Sequence, residues 1–183
     1  FFIQYFLHKI YNMYLLAIDI GGTTYSFSLF KDKQILYNSD NYDIIKYTDH
    51  ELLFKDLYLS VREKIDVKSI SKIGIACPGP LDSTTGTILN TPYLKFLQNV
   101  NIKEELKKHF NIEDIHVEHD TSVYTLGFYN MLSNKNNDDV VLGITLGTGI
   151  GFGIIINGKL FKGSYGMAGE YEFSPILNKR TWG

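Results

Sequence analysis

Asp19-Ile20-Gly21-Gly22-Thr23-Thr24 places one acid, two glycines and two hydroxyls between two apolar runs, and its reading decides the fold. Upstream, Tyr14 to Ile18 (Tyr-Leu-Leu-Ala-Ile) has the length and composition of a strand. Downstream, Tyr25 to Phe30 (Tyr-Ser-Phe-Ser-Leu-Phe) alternates apolar residues with serine, the period-2 pattern of a strand with one buried face. The glycines therefore sit at a hairpin tip. A tip without side chains points backbone N–H groups outward and lets a bulky anion approach the main chain, as glycine-rich loops do with phosphates. An ordinary tight hairpin is the plainer reading of the same six residues.

A second copy favours the phosphate reading. An offset of 126 residues lays Asp19 on Thr145, and with it Leu15 to Thr23 on Val141 to Gly149. The same offset lays Ser26 to Phe30 on Phe152 to Ile156, and Lys31-Asp32 on Asn157-Gly158. Asn-Gly between apolar runs is the strongest short hairpin signal. Each copy reads as strand, glycine-rich turn, strand, tight turn, strand. Two such units predict a duplicated architecture whose tips hold one phosphorylated ligand between them.

Composition narrows the class. The 183 residues are 44% hydrophobic and 21% charged, the balance of a globular chain able to bury a core. A net charge of −2 and no dense basic run give no footprint for nucleic acid. The lone Cys77 excludes an internal disulfide or a cysteine-cluster zinc site, and at the end of an apolar run it reads as a small buried hydrophobe. A reducing, cytoplasmic compartment is the matching expectation. Phe1 to Ile10 is interrupted by Gln4, His8 and Lys9 and is too short to span a bilayer, so no membrane partner is expected. Residues 1–12 read as an upstream or disordered segment before a native start at Met13, and the end at Trp182-Gly183 reads as a cut one.

Between the two units the chain alternates helix and strand signals. Thr48-Asp49-His50-Glu51 reads as a capping box opening a helix to about Ile65, with Leu53, Leu57 and Val61 on its apolar face. Lys72 to Cys77 reads as a buried central strand closed by Pro78-Gly79-Pro80. The polar, turn-rich stretch Leu81 to Leu94 that follows lies at a strand's carboxyl end, where α/β proteins place ligands. A modest helix over 102–110 and a strand over 115–118 lead to Asp120, at a junction with a helix over 121–132. Asp120 is either an N-cap or a carboxylate aimed into a cleft. Glu170, after Met167-Ala168-Gly169, is either a ligand contact or a surface acid.

Together these residues resemble the ROK family of repressors and sugar kinases, within the actin-like ATPase superfamily. Asp19 to Thr23 is similar to the family's first phosphate loop, and Thr145 to Gly151 to the second. Pro78-Gly79-Pro80, with Gly86 and Pro92, resembles the sugar-side loop, and Asp120 with Gly127 the catalytic segment. Gly166 with Ala168-Gly169-Glu170 resembles the sugar-binding loop. The resemblance runs from about Met13 to about Glu172 and implies an α/β, ribonuclease H-like fold with duplicated lobes and mixed sheets, the second lobe incomplete. It implies an N-terminal lobe over 13–133, carrying the sugar loop and the catalytic aspartate, and the start of a C-terminal lobe over 134–183.

The implied activity is ATP-dependent phosphorylation of a hexose or N-acetylhexosamine. Asp120 would be the general base, and Asp19 would hold Mg²⁺ through water. Gly21, Gly22, Thr23, Thr24, Gly147, Thr148 and Gly149 would cradle the phosphates of ATP, and Gly79, Pro80, His119, Asp120 and Glu170 would meet the sugar. A homodimer is implied for the full-length protein. The sequence departs from the family pattern at His119 and Tyr93, each in place of an asparagine, and at Phe173, in place of a histidine. The cysteine cluster expected next is missing, so no structural zinc is expected. A non-catalytic sugar sensor of the same family is the alternative. A structural actin-like protein is a third reading, against which the Pro78 and Glu170 loops argue.

Overall fold

The structure, a computed structural model, describes residues 13–92, 94–136, 139–147 and 149–170, with Tyr165 described by its backbone alone. Tyr93, Thr148, Phe173 and the segment 1–12 lie outside the described residues. The first glycine turn joins strands β1 (Tyr14–Ile20) and β2 (Thr24–Lys31), which pair antiparallel with Ile20 opposite Tyr25. A second turn leads to β3 (Gln34–Asn38), and a short β4 (Tyr42–Asp43) pairs with the start of β2. The polar segment after β3 thus holds a short strand.

Helix α1 (His50–Arg62) starts one residue later than a capping box at Thr48 requires. Asp49 is the N-cap, and its carboxylate accepts the Glu51 N–H at 2.9 Å. Strand β5 (Ile70–Cys77) lies parallel to β1 and is followed by the loop strands β6 (Leu81–Asp82) and β7 (Thr87–Ile88). Helix α2 (Ile102–Phe110), capped by Asn101, leads to β8 (Ile115–His119), which runs parallel to β5. The sheet order is β3-β2-β1-β5-β8, a mixed sheet whose parallel part is reached by helical crossovers.

Period-2 alternation decides which side chains face which side of this sheet. Leu16, Ile18 and Ile20 of β1, Ile73 and Ile75 of β5, and Ile115 and Val117 of β8 join Leu53, Phe54 and Leu57 of α1 and Leu106 and Phe110 of α2 in one core. Asp19, Ala76 and Glu118 form a row across the same three strands on the opposite face. Cys77 is fully buried in the core, as its apolar setting predicts.

Helix α3 (Asp120–Met131) then leads to the second sheet, formed by β9 (Val140–Leu146), β10 (Ile150–Ile156) and β11 (Lys159–Leu160) in antiparallel order β11-β10-β9. One repeat boundary is corrected. The tight turn of the first unit is Asp32-Lys33, both at positive φ, and that of the second is Asn157-Gly158. Asp32 therefore corresponds to Asn157, an offset of 125, because the first glycine turn is one residue longer: Ile20 pairs with Tyr25 across residues 21–24, whereas Leu146 pairs with Ile150 across residues 147–149. The offset of 126 holds only up to the glycine turns. Among the described residues no helix is long and apolar enough to cross a membrane.

Candidate functional site

Two cavities meet at the amino end of α3. The first, of about 260 Å³, is lined by both glycine turns (Gly22, Gly147 and Gly149), by Pro78, Gly79 and Pro92, and by His119, Asp120, Thr121 and Thr145. The second, of about 390 Å³, is lined by Asp19, Gly21, Ala76, Tyr124 and again Asp120, Thr121 and Thr145. Asp120 thus stands in the wall common to both. A phosphate donor in one and an acceptor in the other would meet there.

The cap position of α3 belongs to His119, whose side chain makes no capping bond, and Asp120 is the first helical residue. Its Oδ1 accepts the Thr121 N–H at 2.6 Å and the Thr121 hydroxyl at 3.2 Å. Asp120 thus does both: it accepts a free N–H of the helix's first turn, as a capping acid does, and it faces both cavities from the positive end of the helix. His119 is wedged between two acids, with Nδ1 3.4 Å from Asp120 Oδ1 and Nε2 3.7 Å from Glu170 Oε1. Glu170 is only 8% exposed at its side chain, which removes the surface-acid reading. Gly79 completes this wall: a Cβ there would press on His119 Cδ2 and Glu170 Oε1. Pro80, behind it, is buried and joined to Gly79 by a cis peptide bond.

The glycine turns hold themselves by backbone bonds. Gly21 N–H donates to Thr24 C=O at 2.8 Å, and Gly147 N–H to Gly149 C=O at 3.0 Å. At Gly147 an added Cβ would meet no atom within 4 Å, so the second tip is open on the cavity side. Thr23 and Thr24 line neither cavity. Thr23 C=O accepts the Ile44 N–H at 3.0 Å, and Thr24 C=O the Gly21 N–H. Thr148 lies outside the described residues.

Charge converges at the end of the parallel strands. Asp19 reaches water, yet protein surrounds it enough that desolvation raises its pKa above the usual 3.8, and the Asp120 charge raises it further. The Cys77 thiol is pushed up first by burial and then by Asp120, Glu118 and Asp19. Such a thiol is inert. Lys162, past β11, forms an ion pair with Glu118 and donates to Ser83 Oγ at 2.8 Å, linking the second unit to β8 and to the loop after β6. Sequence reasoning passed over this lysine because its partners are remote in the chain.

The oxygen donors suit a hard cation. Among the described residues no group of three or more acidic, histidine or cysteine side chains could enclose a metal. Asp19 with Asp120 near it therefore fits an ion that keeps much of its water and takes further oxygens from a phosphate, as Mg²⁺ does.

The fold and the cleft define a class, an α/β protein with a glycine-rich hairpin in each of two sheets and a helix-terminal carboxylate between them. The chain belongs to the ROK family, whose model matches residues 15–175. It is 28% identical over 156 residues to a glucokinase of Thermotoga maritima, covering 85% of this chain and 49% of that protein. An N-acetyl-D-glucosamine kinase of Histophilus somni is 33% identical over 158 residues, at 84% and 50% coverage. A xylose repressor of Caldicellulosiruptor bescii is 33% identical over 126 residues, at 68% and 31% coverage. The crystal structure of a ROK family glucokinase from Streptomyces griseus, in complex with glucose and AMPPNP, superposes with a TM-score of 0.74 at 26% identity, covering 90% of this chain and 51% of that one. The fold is the actin-like ATPase fold of these sugar kinases, and the chain spans about half the length of the curated relatives it matches.

Proposed function

We propose that the protein containing this chain is an ATP-dependent sugar kinase that transfers the γ-phosphoryl group to a hydroxyl of a hexose or N-acetylhexosamine. One observation carries the reading: Asp120 occupies the wall shared by the two cavities, with a glycine turn from each sheet beside it. In the proposed reaction the sugar binds against Gly79, His119 and Glu170, and Asp120 accepts the proton of the attacking hydroxyl. The backbone N–H groups of the turns around Gly21-Gly22 and Gly147-Thr148-Gly149 would cradle the phosphates, and Asp19 would hold Mg²⁺. That ion supplies neutralisation of the phosphate charge, while the chain supplies position, the two demands that dominate phosphoryl transfer. The two units, 13–133 and 134–183, act as lobes that close on the ligands.

The kinase names of two relatives and the AMPPNP and glucose of the solved relative support this reading. In the intact gene product, Asp120→Asn should lower kcat at least about 10³-fold, within the range of a lost general base, while sugar affinity is largely kept. A coupled ADP-release assay over a panel of hexoses and N-acetylhexosamines, with calorimetry for binding, measures both. A second reading, a sugar sensor without turnover, is favoured by the similarity to a xylose repressor. Sugar binding with no ADP release across the panel would establish that reading instead.

A further inference from the structure

We infer that Thr121 and Thr145 are a positioning pair for Asp120, a directed chain of hydroxyls that fixes which carboxylate oxygen meets the substrate and ties it to the root of the second glycine turn. The inference rests on the reading of Asp120 as the base. Thr121 is only 4% exposed. Its Oγ1 lies 3.2 Å from Asp120 Oδ1 and 3.0 Å from Thr145 Oγ1. A hydroxyl has one proton to give, and an ionised carboxylate only accepts. With the Thr121 proton given to Asp120, the bond between the two threonines must run from Thr145 to Thr121. The order is therefore Thr145 to Thr121 to Asp120.

Every contact that Asp120 makes among the described residues falls on Oδ1: the Thr121 N–H at 2.6 Å, the Thr121 hydroxyl, and His119 Nδ1 at 3.4 Å. Oδ2 is thereby the oxygen presented to an incoming proton. The space around the pair is reserved by Gly151, which stands opposite Thr145 in the β9-β10 register. A Cβ at Gly151 would collide with Thr121 Oγ1 and come within 2.7 Å of Thr145 Oγ1. Thr145 precedes Gly147 by two residues on β9, so a displacement of the second turn reaches the carboxylate through two hydrogen bonds. The pair would thus couple phosphate seating to base orientation, as groups behind a reacting residue commonly do.

The test uses the intact protein with Thr121→Val, which keeps the shape and removes the hydroxyl, Thr121→Ser, which restores it, Thr145→Val, and the double valine variant. The expected result is a kcat lower by about 10-fold in Thr121→Val, the size of a lost hydrogen bond to a charged group, with KM for the sugar nearly unchanged. Recovery in Thr121→Ser and no further loss in the double variant are also expected, since one chain is broken once. A crystal structure of ligand-free Thr121→Val should show the Asp120 carboxylate rotated or in two conformers. An unmoved carboxylate, or equal losses in Thr121→Val and Thr121→Ser, overturns the pair. If the wild-type protein shows no turnover, the kinase reading falls on its own, and the Asp120 orientation in that crystal still decides the pair. If Thr121→Val does not fold, Thr145→Val carries the same kinetic and crystallographic readouts.

Discussion

The charge of Asp19 is disfavoured by its surroundings. Desolvation in the cleft and the nearby Asp120 both disfavour its charge, so its folded pKa lies above the unfolded one. The folded state then binds the proton more tightly than the unfolded state. Stability falls as pH rises from the ordinary aspartate value of 3.8 through the raised folded value, and the full cost is present at neutral pH. Asp19 also reaches water, which screens that cost and keeps it small. Asp19→Asn should therefore raise the thermal midpoint of the ligand-free chain at pH 7 by roughly 1–2 °C and flatten its dependence on pH above 4. Differential scanning calorimetry across pH reads both. A lower midpoint in the variant would mean that Asp19 is stabilised by its neighbours. If Asp19 holds Mg²⁺ as proposed, the same substitution should also abolish the Mg²⁺-dependent part of nucleotide binding in the intact protein.

At the level of elements, α3 is the joint of the molecule. It carries Asp120 at its start, yet it packs chiefly on β9 and β10 of the second sheet, with fewer contacts to β5 and β8. The seam is made by small residues: Gly143 and Gly153 are register partners, and a Cβ on either would run into Thr125 of α3. The Thr125 hydroxyl donates back to Thr121 C=O at 2.8 Å, which holds its Oγ1, the atom nearest to an added Cβ at either glycine, against them. Gly153→Ala should therefore destabilise the chain by about 1–3 kcal/mol through overpacking. Thr125→Ala in the same chain should recover part of that loss by removing the Oγ1 contact, while the Thr125 Cβ and Thr121 C=O, 2.8 and 2.9 Å from an added Cβ at Gly153, remain. Chemical denaturation of the two single variants and the double variant closes the cycle. Additive losses would place the strain elsewhere.

At the level of the whole molecule the two sheets are unequally finished. The first is covered by α1 and α2, and its core residues are nearly all inaccessible. The second buries one face against α3 and leaves Val140, Leu142, Ile144 and Leu146 in the open, with Val140 71% and Leu146 79% exposed. A row of large aliphatic side chains along one strand is an association surface in water. Expressed as these 183 residues alone, the chain should self-associate at micromolar concentration, and Leu142→Ser with Ile144→Ser should reduce that association without altering the first sheet. Light scattering and sedimentation would measure it, and a monodisperse monomer would contradict it. By itself the sequence determined the hairpin pattern, the duplication, the buried β5 and the helix that follows Asp120, because periodicity, turn chemistry and end signals are local. It also singled out Gly79, His119 and Glu170, through motif order. Only the tertiary structure decided that Asp49 rather than Thr48 caps α1, that the Glu170 side chain is buried beside His119, and that Thr121 and Thr145 share a hydrogen bond. Those outcomes depend on residues 24 and 51 positions apart meeting in space, and on competition between neighbouring acceptors for one donor. No local pattern encodes either.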